Sequence, residues 1–212
     1  MPMVEEHPIP PFFPKDARVL FLGSFPPPRN RWCMEFFYPN LQNDFWRILG
    51  LVFFDDKEHF LEARPTDGKR VFARRRIEAF LRERQIAMYD TAVRVIRQRG
   101  NASDAFLTVV EPLDLERVLR LQLPSCRALI TTGEKATDTL LGLLNQVCGE
   151  PIAKPGVGAC VEFTLADRAL KLYRLPSSSR AYPMKLEQKA EIYRRILGLE
   201  LEIPAPFPRS LG

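Results

Sequence analysis

The sequence predicts an α/β fold, three layers deep (α/β/α), around a short central sheet of mostly parallel strands. Three observations carry that expectation. Short apolar runs ending in turn residues recur along the chain, as at Arg18–Gly23 and Arg127–Thr132. Stretches of helical period stand between them. Strand and helix alternate in a way that suits parallel pairing, because each crossover lays a helix on a face of the sheet.

The elements follow in order. A strand is predicted at 18–23 (Arg-Val-Leu-Phe-Leu-Gly), apolar throughout as a strand buried on both faces must be. A long loop covers 24–42, and a helix 44–52 follows in which Phe45, Trp46 and Leu49 share the core face. A basic helix is predicted at 70–84, a strand at 86–89 and a short helix near 91–99. Residues 105–110 suit another strand, 113–122 a helix, and 127–132 a strand ending at Gly133. A helix at 134–147, strands at 161–165 and 169–175, and a last helix at 185–198 complete a domain of residues 16–202. The proline-rich segments 1–15 and 203–212 read as extended arms on or off its surface.

A chain of 212 residues fits one domain and buries a real core. Its 46% hydrophobic and 27% charged residues are those of an ordinary soluble globular protein. A formal charge of +5 permits nucleic-acid binding without demanding it. Of the 31 basic residues eight are lysines, leaving 23 arginines. Arginine forks onto phosphate and stacks on base faces, although a GC-rich genome produces the same excess.

Cys33, Cys126, Cys148 and Cys160 form no Cys-x-x-Cys pair, and His7 and His59 are the only histidines. Metal-ligand spacing is therefore absent, so reduced thiols and no histidine-rich zinc site are expected. The start lacks a basic n-region and an apolar h-region, and no apolar stretch reaches the roughly 20 residues of a membrane span. A soluble, cytoplasmic monomer without a membrane partner is expected.

Two segments carry chemistry. The first strand ends in Gly23-Ser24-Phe25-Pro26-Pro27, and its loop bears Arg29, Arg31, Trp32, Phe36, Phe37 and Tyr38 before Asn43-Asp44-Phe45-Trp46-Arg47. Cations, aromatic faces and one amide at the carboxyl end of a sheet suit a phosphate backbone with an exposed base. The second segment, Leu175-Pro176-Ser177-Ser178-Ser179-Arg180, offers hydroxyls and amides to phosphate oxygens without base preference. Plainer readings stand beside these. Asn43 suits a helix N-cap, Phe36, Phe37 and Tyr38 suit loop anchors, and Arg74, Arg75, Arg76, Arg82 and Arg84 suit a solvated helix face. Asp90 either caps the helix predicted after it or acts as a charge at a strand end beside the pocket. Lys135 reads as structural.

In that order these segments resemble motifs of the uracil-DNA glycosylase superfamily. The nearest branches are the mismatch-specific uracil glycosylases and the hypoxanthine-DNA glycosylase-like family. The latter shares Gly-Ser-x-Pro, an aromatic pair before Asn-x-Phe-Trp, and Leu-Pro-Ser-x-Ser. Tyr89-Asp90 and Thr132-Gly133-x-Lys135-Ala136 are intermediate matches. The similarity spans residues 17–198 and implies a uracil-DNA glycosylase-like fold. It also implies hydrolysis of the N-glycosidic bond of a deaminated or mispaired base in DNA, hypoxanthine or uracil, with water as nucleophile and no cofactor.

Carried over by position, Asn43 is implied as catalytic, with Asp90 a second catalytic candidate. Gly23, Ser24, Phe25 and Tyr38 are implied around the base, and Ser177 in the second motif. Arg29, Ser178, Ser179 and Arg180 join Ser177 as DNA-binding candidates, with Arg180 or Tyr182 placed to fill a vacated base stack. The backbone N–H groups of Ser24 and Phe25 are candidate donors to the departing base. The chain departs from the family twice: Phe25 stands where mismatch-specific enzymes carry asparagine, and Leu175 where many members carry histidine. Both favour the branch in which Asn43 does more of the work. They also leave open a catalytically silent nucleic-acid-binding module of the same fold.

Overall fold

A computed structural model describes residues 3–98 and 107–203. In chain order the strands are β1 (Val4–Glu6), β2 (Val19–Gly23), β3 (Leu61–Ala63), β4 (Arg70–Phe72), β5 (Ile86–Asp90), β6 (Ala92–Arg97), β7 (Leu107–Pro112), β8 (Ala128–Thr132), β9 (Cys160–Leu165) and β10 (Arg168–Leu175). The α-helices are α1 (Phe45–Phe54), α2 (Arg74–Glu83), α3 (Leu115–Leu121), α4 (Glu134–Val147) and α5 (Leu186–Glu200).

The central sheet runs β5-β2-β8-β10-β9. Its first four strands are parallel, and β9 joins β10 antiparallel at the edge. Every residue of β2, β5 and β8 is buried, which explains why these strands read as unbroken apolar runs. The path leaves β2 for β5 on one side, then crosses to β8 and β10 on the other. Right-handed crossovers in opposite directions lay helices on both faces, giving three layers. On one of them α1 packs along α5, where Arg194 donates to the Leu51 carbonyl at 2.6 Å. The ring of Phe53 on α1 meets Phe80 on α2 edge-on at 4.9 Å.

Three features differ from the sequence reading. Residues 92–97 form strand β6, not a helix; the run Ala-Val-Arg-Val-Ile-Arg is β-branched, and β6 is paired on both sides, by β1 and β7. The basic helix starts at Arg74, because Arg70–Phe72 pair with β3 as a small hairpin. The N-terminal segment, read as an arm on or off the surface, supplies the edge strand of the β1-β6-β7 sheet, with Ile9 and Phe12 packed on the main core. Of the predicted C-terminal arm, residues 204–212 lie outside the described residues, as do 99–106.

Three of the four arginines of α2 have local partners. Arg74 and Arg82 both pair with Glu78, and their guanidinium groups lie over Phe36 and Phe12 respectively. Arg76 donates to the His59 carbonyl. This face is a solvated and structural surface. No helix among the described residues is long and apolar enough to cross a membrane.

Candidate active site

In an open α/β sheet the ligand crevice forms beyond the carboxyl ends of the strands, where the strand order reverses. Here the reversal lies between β2 and β8, and a cleft of about 670 Å³ opens at that place, within the roughly 300–1,000 Å³ usual for small-molecule sites. Gly23 ends β2, Asp90 ends β5, Thr132 ends β8, and β10 runs on into Ser177; all four line the cleft.

Asn43 and the Ser177–Arg180 segment meet on its rim. They are joined by an antiparallel bridge between Asn43 and Ser179, and the Asp44 N–H donates to the Ser178 carbonyl at 2.9 Å. Arg180 Nε donates to Asp44 Oδ1 at 2.9 Å, while Arg47 lies 3.6 Å from the same oxygen. Segments more than 130 residues apart in the chain are thus stitched by backbone and side chain alike.

The Phe45 N–H donates to Asn43 Oδ1 at 2.9 Å. A backbone N–H needs an acceptor, so this bond assigns the amide: oxygen toward the helix, NH₂ left for other partners. The N-cap of α1 is Asp44, so Asn43 is not the cap its sequence context suggested; it precedes the cap, takes the N–H of the first helical residue, and lines the cleft.

Tyr38 sits at φ +50°, a conformation that costs a non-glycine residue energy and needs fixing by its surroundings. Phe45 stacks flat against its ring at 3.9 Å and 9°, and its hydroxyl lies 2.6 Å from Thr132 Oγ1. Phe25 is buried against Ala92, Val95 and Leu107, so it walls the cleft without plugging it. Gly23 is required by its neighbours: a Cβ there would fall 2.4 Å from Asp90 Oδ1 and 3.1 Å from the Tyr38 hydroxyl.

Among the described residues lining the cleft, Asp90 is the one carboxylate, and it is 6% exposed. His7 Nε2–H donates to its Oδ2 at 2.9 Å. Next to it, Tyr89 has its hydroxyl pKa pushed up to about 12, first by burial and then by the charge of Asp90. His7 was missed in the sequence. It lies 83 residues from Asp90 in a proline-rich segment, where no spacing signal could link the two.

Among the DNA-binding candidates, Ser177, Ser178, Ser179 and Arg180 all line the cleft. Ser177 Oγ and Ser179 Oγ accept from the N–H groups of Ser179 and Ala181, which shapes the loop and leaves each hydroxyl proton to donate. Buried Lys189 donates to the Ser179 carbonyl at 2.7 Å and braces the same loop from below. Burial holds the Lys189 ammonium below the usual lysine range, against the opposing pull of Asp44. Arg29 is not brought to the cleft: it pairs with Glu35 at 2.7 Å and stacks on Trp32, while Arg31 lines the cleft instead. Leu175 is fully buried and is not among the lining residues. Among the described residues no three His, Cys, Asp or Glu side chains gather as a metal site.

No protein-family model matches the chain, and no curated protein does. The fold does have a counterpart among solved structures. The solution NMR structure of a candidate uracil DNA glycosylase from Methanosarcina acetivorans superposes with a TM-score of 0.58 at 20% identity, covering 92% of this chain and 99% of that one. At that level of identity the likeness speaks for the architecture, and the chain has a uracil-DNA glycosylase-like α/β/α fold around a mostly parallel sheet.

Proposed function

We propose that the protein is a monofunctional DNA glycosylase that hydrolyses the N-glycosidic bond of a deaminated base, hypoxanthine or uracil. One observation carries the reading: the Asn43 and Ser177–Arg180 segments flank a single cleft at the carboxyl edge of the sheet, bridged from Asn43 to Ser179. Had they stood on opposite faces, the motifs would have had no common site. The name of the structural counterpart agrees with this reading.

Breaking the bond puts positive charge on the sugar and negative charge on the departing base. The Asn43 NH₂, freed by the oxygen's bond to Phe45, donates to a carbonyl of that base. The N–H groups of Ser24 and Phe25, at the exit of β2, add to the same stabilisation. Asp90 supplies the opposite charge: its carboxylate favours the cationic sugar and orients the attacking water. Tyr38, backed by Phe45, forms a flat wall for the base. The serine hydroxyls and Arg180 take the flanking phosphates, and extruding the base costs a few kcal/mol, least where it is mispaired. Arg180 leaves Asp44 to do so, exchanging one anion for another.

The test is strand scission by alkali after incubation with duplexes carrying hypoxanthine or uracil. The wild type releases the base, and Asn43→Ala lowers the single-turnover rate roughly a hundred- to a thousandfold, as loss of one donor to a developing charge does. Retention of the duplex with no scission by the wild type would instead mark a silent binding module.

A further inference from the structure

We propose that His7 is the positioning residue for Asp90, so that the N-terminal strand completes a site otherwise built on the edge of the central sheet. The inference leans on the glycosylase reading for the role of Asp90, and its geometry stands apart from it.

The His7 side chain is 1% exposed. One ring nitrogen donates to Asp90 Oδ2 at 2.9 Å, and the other accepts from the Ile9 N–H at 3.3 Å, so both ends of the imidazole are held. Three aromatic rings enclose it: Tyr89 at 4.5 Å, Phe25 edge-on at 5.2 Å and Phe37 at 6.1 Å. The backbone is fixed as well. The His7 N–H donates to the Val93 carbonyl at 2.8 Å, directly after the β1–β6 pairing. Arg97 of β6 then ties that strand pair to the cleft loop, pairing with Glu5 and donating to the Pro26 carbonyl at 2.9 Å.

From the other side, Asp90 Oδ1 rests against Gly23, where even a methyl group would not fit. The carboxylate is therefore pinned between a histidine from the N-terminal segment and the backbone of β2. A nearly buried carboxylate needs a hydrogen-bond partner, and a fixed direction to stabilise charge at one place. His7 supplies both without lining the cleft.

The experiment reads the charge of Asp90 without turnover. Gel retardation compares a duplex carrying a pyrrolidine abasic analogue, cationic where the sugar charge develops, with its neutral tetrahydrofuran counterpart. The wild type favours the cationic duplex by roughly tenfold, the order expected of one directed charge. His7→Phe keeps the ring packing and loses the donor; His7→Asn keeps polarity but is too short to reach Oδ2. Both bring the preference to within roughly twofold, while His7→Gln, whose amide reaches the Nε2 position, retains most of it. In an Asp90→Asn background, His7→Phe changes nothing further.

Thermal melting accompanies each variant. A folded His7→Phe or His7→Asn with the wild-type preference overturns the proposal. So does an equal further loss on top of Asp90→Asn, or a wild type indifferent to the cation. A wild type that prefers the cation through His7 yet cleaves neither hypoxanthine nor uracil duplexes keeps this inference and defeats the glycosylase reading instead.

Discussion

Two buried carboxylates stand at opposite edges of the central sheet, and their surroundings differ in kind. Glu200, 3% exposed, lies near the edge where the parallel strands begin. It takes Tyr173 Oη–H at 2.7 Å, Arg127 Nε at 2.9 Å and Lys171 Nζ at 3.3 Å. Asp90, at the edge where the strands end, has His7 as its side-chain hydrogen-bond partner and faces the cleft. A carboxylate saturated by donors from its own fold is a clasp. One held from behind at the wall of a cleft has interaction capacity to spend on a ligand.

Conservative amides break this contrast most sharply. Asp90→Asn keeps the acceptor toward His7 and removes the charge, so base excision falls roughly a hundred- to a thousandfold while the melting temperature moves little. Glu200→Gln does the reverse: it costs about 1–3 kcal/mol of stability and leaves the single-turnover rate of folded protein unchanged. Denaturant melts and alkali-scission kinetics on the same preparations check both arms.

Gly23→Ala tests the pinning of Asp90 from its other side. The added carbon collides with Oδ1, which His7 prevents from swinging away, and presses on the Tyr38 hydroxyl. Excision drops roughly tenfold or more, with about 1–3 kcal/mol lost to overpacking. A variant that loses stability but not rate would show that the carboxylate tolerates displacement.

Much of this contrast was legible in the sequence, and the unread part has a physical cause. The strands β2, β5 and β8 announced themselves as apolar runs, and local pattern put Gly23 at the end of β2 and Ser177 just past β10, whereas Asn43 and Ser177 were linked as site residues only through the family resemblance. Asn43 was ambiguous between helix start and site because one amide offers an oxygen to the Phe45 N–H and an NH₂ to the cleft, and the cap itself fell one residue later, at Asp44. What local pattern cannot carry is pairing across the chain. The β6 strand looked helical until β1 and β7 supplied partners, and His7 became part of the site only because β1 carries it to Asp90. Arg29 and Arg180 looked alike as loop cations, yet Glu35 keeps one outside the cleft and Asp44 holds the other on its rim.

That last pair makes a smaller test. Arg180→Ala weakens duplex binding roughly three- to tenfold and flattens the plot of log affinity against log salt by about 1. Arg29→Ala, removing a solvent-exposed arginine already paired with an acid, changes affinity less than roughly twofold. Equal effects from the two would mean that the DNA track runs over the outer loop as well as the cleft.

The smallest expected effect concerns acid stability and belongs to the saturated carboxylate. Burial pushes the Glu200 carboxyl up, but hydrogen bonds from Tyr173, Lys171 and Arg127 together outweigh it and hold the group below its ordinary range. A depressed folded-state value contributes stability that is present above the unfolded value, near 4.3, and is lost as pH falls through the folded one. Stability therefore declines below about pH 4.3 in the wild type, as Glu200 is protonated and its three donors lose their anion. Glu200→Gln starts lower at neutral pH and declines less steeply over that window, because its amide does not titrate. Urea midpoints measured from pH 7 down to pH 3 would show the two curves converging; parallel curves would mean that the loss at neutral pH comes from packing around the glutamate, with its charge contributing nothing.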